Sequence, residues 1–183
     1  MLPLPTGAAP GGLWDSCAYL IQNIMILLVI GPSGVGKSSL CREVRANYDL
    51  DQLVRMSVGE DSAAHLLSKV GYDQFFELCQ RAVSRLSHLS ETYTIAVGAG
   101  TLQSHQCVEW LREHPTIAIT APPEEVYHRG GTRNLRRYLE RFCQVEYSPY
   151  RTQLYSLADQ KLDVGGLTFQ QAKEQFVRLI KGI

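Results

Sequence analysis

Eight residues, Gly31-Pro32-Ser33-Gly34-Val35-Gly36-Lys37-Ser38, constrain this chain more than any others. They satisfy every fixed position of the pattern G-x-x-x-x-G-K-[ST]. The run before them, Ile24-Met25-Ile26-Leu27-Leu28-Val29-Ile30, is unbroken and apolar, as a strand buried on both faces requires. The run after them, Ser38 to Arg45, reads as a helix with Leu40 and Val44 on one face. The motif therefore sits in a strand–loop–helix context. Glycines let backbone N–H groups turn inward around a phosphate, and the helix start adds its positive dipole end. Lys37 brings a charge to the β- and γ-phosphates, and Ser38 offers a hydroxyl to Mg²⁺. Ser33, Gly34, Val35, Gly36, Lys37, Ser38 and Ser39 are the expected nucleotide-binding set, with ATP and Mg²⁺ as ligands. The alternative is a glycine turn that happens to precede a helix; the strand before and the helix after weigh against it.

At 183 residues the chain is long enough for one domain with a substantial core. Its 18 basic and 18 acidic residues cancel, so no overall field draws it to nucleic acid or a membrane surface. The expected partner is a small molecule, and the expected assembly a monomer or weak homodimer. Cys17, Cys41, Cys79, Cys107 and Cys143 are odd in number, widely spaced and lack a C-x-x-C pair. That pattern points to free thiols in a reducing, cytoplasmic compartment and away from a zinc site. His65, His88, His105, His114 and His128 show no metal-ligand spacing and are expected to be structural or exposed.

Residues 1–23 read as a loose tail, rich in Pro, Gly and Ala over the first dozen positions. The run 18–30 has no basic region before it, is interrupted by Gln22 and Asn23, and is too short to span a bilayer. Met25, directly before the strand, is a candidate natural start that N-terminal sequencing would test. A single domain is expected over 24–183. Beyond the first helix, Leu53 to Val58 reads as a second strand ended by Gly59, and Ser62 as the cap of a helix through Val70. Tyr72 to about Leu89 reads as a longer helix, Tyr93 to Val97 as a strand, and Ser104–Glu113 as a helix. Thr116 to Thr120 is a strand, and Pro122-Pro123-Glu124-Glu125 opens a helix. A basic stretch over about 128–151 follows, then a short strand at Lys161–Val164 and a closing helix capped by Thr168. Strands alternating with helices imply a parallel sheet covered on both faces, an α/β/α sandwich.

The layout from about Ile24 to Ile180 resembles the shikimate kinases, small phosphotransferases with this phosphate-binding loop. Four features carry the resemblance. A helix pair, Ser62–Val70 then Gly71 onward, is similar to the helices before the family's F-R pair. Ile95-Ala96-Val97-Gly98-Ala99-Gly100 looks like its strand ending in G-G-G. Ala121-Pro122-Pro123-Glu124-Glu125 leads to an arginine-rich stretch ending in Arg136-Arg137-Tyr138-Leu139, similar to R-P-L-L. Arg151-Thr152-Gln153-Leu154-Tyr155, continuing to Ala158-Asp159, looks like R-x-P-L-Y-x-x-x-A-D without its proline.

The resemblance implies a five-stranded parallel sheet of order 2-3-1-4-5, a lid over about 128–150, and ATP-dependent phosphoryl transfer to a hydroxyl of a small acid such as shikimate. It implies that Arg151 holds the acceptor carboxylate, Gly98 and Gly100 allow its close approach, and Arg136 acts on the transferring phosphoryl. The family's D-x-D has its letters in Asp49-Leu50-Asp51, which assigns Asp49 to the metal and Asp51 to the acceptor hydroxyl. With strand two expected at Leu53–Val58, those letters precede the strand, and Ser57, Glu60 or Asp61 would stand at its end instead. Asp49 and Asp51 also read as solvated turn residues, and Asp61 as part of a helix start.

Other departures fall on the acceptor side. The F-R arginine corresponds to Phe76, and the middle glycine of G-G-G is Ala99. Among Arg129, Arg133, Arg136, Arg137, Arg141 and Arg151, one or two are expected to meet phosphate and the rest to be solvated. Tyr138, Tyr147, Tyr150 and Tyr155 read as packing residues. A same-fold kinase with another acceptor, and a nucleotide-binding pseudokinase or regulatory module, both remain open. The loop is also similar to that of guanylate kinases, but no Arg- and Tyr-rich base-binding region follows its helix.

Overall fold

The computed structural model describes residues 25–44, 47–88, 93–129 and 138–183. The tail, Cys17, and Arg133, Arg136 and Arg137 of the basic stretch lie outside these residues.

The apolar run before the loop forms β1 (Ile26–Ile30), every residue of it buried. Its side chains alternate between two cores, as strand geometry requires. Ile26, Leu28 and Ile30 enter one core, and Leu27 and Val29 the other. Around β1 lie β2 (Asn47–Asp49), β3 (Tyr93–Ala96), β4 (Thr116–Thr120) and β5 (Gln160–Asp163). The sheet order is β2-β3-β1-β4-β5, with every pairing parallel. This is the order and architecture expected of the chain.

On the first face pack α2 (Leu50–Val58), α4 (Tyr72–Ser84), α5 (Cys107–Glu113) and α8 (Pro149–Ser156), with α3 (Ala63–Val70) beside them. On the second face pack α1 (Lys37–Cys41), α6 (Pro123–Arg129), α7 (Leu139–Glu146) and α9 (Phe169–Ile180). Thr168 caps α9 in a reciprocal box with Gln171. Burial pushes the Cys41 and Cys79 thiols up to about 12, which leaves both as inert core groups.

One sequence expectation fails in an instructive place. Leu53–Val58 is not a strand; it belongs to α2. The second strand is the three-residue β2 just before it, pairing Asn47, Tyr48 and Asp49 with Thr94, Ile95 and Ala96. The helix wins because its ends are chemically fixed. Asp49 accepts from the Gln52 N–H as N-cap, and Gly59 takes the left-handed conformation (φ 73°) that closes the other end. Leu50 and Val54, four apart, then share the buried face, while Met56 is exposed.

Smaller boundary shifts follow from end effects. The long helix stops at Ser84 and tightens into a 3₁₀ turn over Arg85–His88. The helix expected from Ser104 starts at Cys107, after a 3₁₀ turn over Thr101–Gln103.

Candidate active site

The site lies where β1, β2 and β3 end, at the carboxyl edge of the parallel sheet where ligands bind in open α/β folds. Gly31, Gly34 and Gly36 all have positive φ, of 144°, 90° and 109°. Gly31 also has no room for a side chain, since a Cβ there would strike the Ile119 carbonyl of the neighbouring strand. The loop is therefore pinned against β4 by a glycine that nothing larger can replace.

Lys37 is buried at the first position of α1 and folds back over the loop. Its Nζ donates to the carbonyls of Gly31 at 2.8 Å and Pro32 at 2.9 Å. Burial lowers its pKa from the usual lysine range to about 8, against the pull of the Glu146 and Asp51 carboxylates nearby.

The correction to β2 changes the acidic residues. Because the strand is so short, Asp49 stands at its carboxyl end, beside the loop. Ser38 Oγ donates to Asp49 Oδ2 at 2.6 Å, and Asp49 Oδ1 accepts from Gln52 N at 3.3 Å. One carboxylate thus joins strand end, helix start and phosphate-binding loop. Asp51, in the first turn of α2, lies against Gly98, where a Cβ would collide with its carboxylate. Gly98 is consequently the residue that lets Asp51 reach the cleft. Gly100 meets an apolar wall instead, its missing Cβ 3.0 Å from Leu67 and 3.6 Å from Phe75.

The positions favoured by a longer strand two are engaged elsewhere. Ser57 bonds back to the Val54 carbonyl at 2.8 Å, and Glu60 pairs with Lys69 at 3.1 Å. Asp61 reaches the cleft rim, where its carbonyl accepts from Arg55.

The cleft itself has a volume of about 720 Å³. Ser33, Gly34, Gly36, Lys37, Ser38 and Ser39 line one side and Asp49, Asp51 and Gly98 another. Val35 instead packs its side chain into the second core. Arg42, Arg55 and Arg129 also line the cleft. Arg129 is held at the end of α6 by Glu125 at 2.8 Å and the Val164 carbonyl at 3.1 Å.

A second compartment of about 380 Å³ adjoins the first and shares Ser33, Asp51, Ala63, Ala64 and Ala99 with it. Its walls include Leu67, Phe75, Phe142 and Val145, and its charged lining is Asp51, Glu146 and Arg141. Phe76 does not line it; this ring is fully buried and meets Trp110 edge-on at 5.8 Å.

Arg151 does not line the compartment either. Its guanidinium is buried, donating from Nη1 to Glu146 Oε2 at 2.9 Å and from Nη2 to the Ala99 carbonyl at 2.9 Å. With the Gln103 amide oxygen turned toward it, Gln103 accepts from Nη2 at 2.6 Å and Nε at 3.2 Å. Glu146 Oε2 also accepts from the Ser33 backbone N–H at 2.9 Å, tying α7 to the loop. The sequence reading gives Glu146 no role in the site beyond a counter-charge in the basic stretch, although its place four residues after the buried Phe142 puts it on the inner face of α7.

The family model for shikimate kinase matches residues 33–181. The chain belongs to the shikimate kinase family. A shikimate kinase of Pelotomaculum thermopropionicum is 26% identical over 165 residues, covering 85% of this chain and 95% of its own. Shikimate kinase of Bacteroides thetaiotaomicron superposes with a TM-score of 0.68 at 17% identity, covering 86% of this chain and 97% of its own. Shikimate kinase of Acinetobacter baumannii, solved in complex with shikimate, superposes with a TM-score of 0.69 at 16% identity, covering 90% and 95%. These solved structures share the fold of this chain. The family relationship carries ATP-dependent phosphotransfer as the class of activity. Among the described residues no helix is long and apolar enough to cross a membrane.

Proposed function

We propose that this protein transfers the γ-phosphoryl group of ATP to a hydroxyl of a small molecule held between Asp51 and the apolar second compartment. The observation that carries the reading is the contact between Ser38 Oγ and Asp49 Oδ2 at 2.6 Å, with Asp51 two residues further on facing the same cleft. Capping α2 accounts for one oxygen of Asp49; the other meets the loop serine, and Asp51 lines the same cleft.

Ser38 and Asp49 are hard oxygen donors at one point of the cleft and fit Mg²⁺, which takes few protein ligands and keeps the rest for water and phosphate. When bound, the ion would neutralise charge on the phosphate oxygens. The loop N–H groups and Lys37 bind and orient the phosphates. Lys37 Nζ, now on the Gly31 and Pro32 carbonyls, is within the loop it would serve. Asp51 holds the acceptor hydroxyl and accepts its proton at a carboxylate oxygen as the phosphoryl group moves in line. Arg136 remains the arginine proposed to steady the transferring group. Gly98 supports the reaction by admitting Asp51.

A coupled ADP-release assay over a panel of hydroxylated small molecules, shikimate among them, tests this reading. Turnover that depends on acceptor and disappears in Lys37→Ala supports it. ATP binding without transfer to any acceptor would favour the regulatory-module alternative.

A further inference from the structure

The compartment beside Asp51 has a composition that bears on which acceptors it admits, granted that Asp51 receives the hydroxyl as proposed above. Its walls are mostly apolar side chains, Leu67, Phe75, Phe142 and Val145. Among the described residues its inner charged groups are two carboxylates, Asp51 and Glu146. Arg141 also borders it but is an exposed residue at the mouth, where solvent and salt screen its charge.

Arg151 is the one buried arginine among the described residues, and it stands behind this wall. Glu146, the Ala99 carbonyl and Gln103 already accept from its guanidinium. Of the side chains on the guanidinium only Glu146 lines the compartment, so an acidic acceptor that took its place would also break the Ser33 N–H contact to the same oxygen. The released glutamate would then be a second negative charge beside the incoming one. An uncharged acceptor meets none of these costs and gains contact with the apolar walls.

We infer that the acceptor is an uncharged, partly apolar alcohol and not a hydroxy acid, with Glu146 the residue that sets this preference by occupying Arg151. Glu146 acts here as an internal carboxylate: it fills the place on the guanidinium that a ligand carboxylate would need. Buried charge pairs of this kind are costly to separate, so the preference is built into the folded state.

Shikimate and its methyl ester differ only at the carboxylate and are the probes. Calorimetric titration of each into the protein with ADP and Mg²⁺ reads the preference whether or not transfer occurs. The ester is expected to bind about tenfold more tightly or better, one lost charge-assisted contact's worth of affinity. In Glu146→Gln, shown to be folded by its melting curve, one negative charge leaves the pocket and the gap should close or reverse. The wild-type comparison stands even where that variant does not fold.

An acid that binds as tightly as the ester overturns the inference. So does a folded Glu146→Gln protein with an unchanged ratio. Failure of both probes to bind while ADP does removes the compartment as an acceptor site and overturns it too. An ester that binds tightly yet receives no phosphoryl group supports this inference while counting against the kinase reading.

Discussion

Phe76→Arg is the substitution whose outcome the fold determines most sharply. By the resemblance the position corresponds to the arginine of the family's F-R pair, which would make the change a restoration. The structure places the ring in the core, fully buried, on the inner face of α4 with Phe75, Cys79 and Val83, and edge-on to Trp110. Deleting a buried phenylalanine costs about 3–5 kcal/mol, and the aromatic pair is part of that loss. Forcing a guanidinium into the same apolar space adds several kcal/mol unless a partner is found. The total approaches or exceeds half of a typical domain's stability of about 5–15 kcal/mol. For a chain of this size a loss near 5 kcal/mol lowers Tm by about 10–20 °C. Thermal melting followed by circular dichroism, with Trp110 fluorescence as a local report, measures the effect. Phe76→Leu, which keeps most of the volume, should cost less than about 2 kcal/mol. A Phe76→Arg protein that melts within a few degrees of wild type and binds shikimate better would refute the core assignment. It would mean that α4 can turn this position toward the cleft.

Three further outcomes follow from the site. Asp49→Asn should leave stability nearly unchanged, because asparagine caps a helix as well as aspartate, while raising the Mg²⁺ needed for half-maximal activity about tenfold or more. Asp49→Ala should cost about 1–3 kcal/mol as well, through the lost cap and the lost Ser38 partner; equal melting temperatures for the two variants would contradict the double role. Gly98→Ala should press on the Asp51 carboxylate and lower kcat sharply with nucleotide affinity kept within about twofold, since Gly98 is not part of the phosphate loop; normal kcat would show that Asp51 need not sit where it does. Lys37 gives a pH test. Its pKa of about 8 in the free protein should rise when phosphate anions bind, so nucleotide binding takes up a proton and weakens as pH climbs through about 8. Calorimetry in buffers of different ionisation enthalpy should find proton uptake that is small at pH 7 and grows as pH rises past about 8; uptake that does not grow over that range would show that Lys37 keeps one protonation state on binding.

The nucleotide side was legible because it depends on local pattern. Three glycines, a lysine and a serine at fixed spacing follow an apolar strand, and the structure assembles them without rearrangement. The alternation of elements likewise led to the parallel sheet. The acidic pair was harder. Leu53–Val58 alternates like a strand, and only Asp49 as N-cap and Gly59 as the closing residue reveal a helix there. Taking that stretch as a strand puts the end of strand two nine residues late, at Val58 in place of Asp49, and sets Asp49 and Asp51 ahead of the strand and away from the cleft. The engagement of Arg151 was not legible at all. Its partners come from α7 and from the segment after β3, residues distant in sequence from one another, and only the folded chain sets Glu146 against the guanidinium.

In the proposed reaction the cleft joining the loop, Asp49 and Asp51 moves a phosphoryl group from ATP to a carbon-bound hydroxyl. Phosphorus NMR of the protein mixed with ATP, Mg²⁺ and a panel of uncharged and acidic polyols observes that transfer directly. A new phosphomonoester signal is expected, matched by an equal amount of ADP and lost in Asp51→Asn although that variant still binds ADP. ATP that is bound and merely hydrolysed, or left intact across the whole panel, or an ester signal that survives in Asp51→Asn, would contradict it.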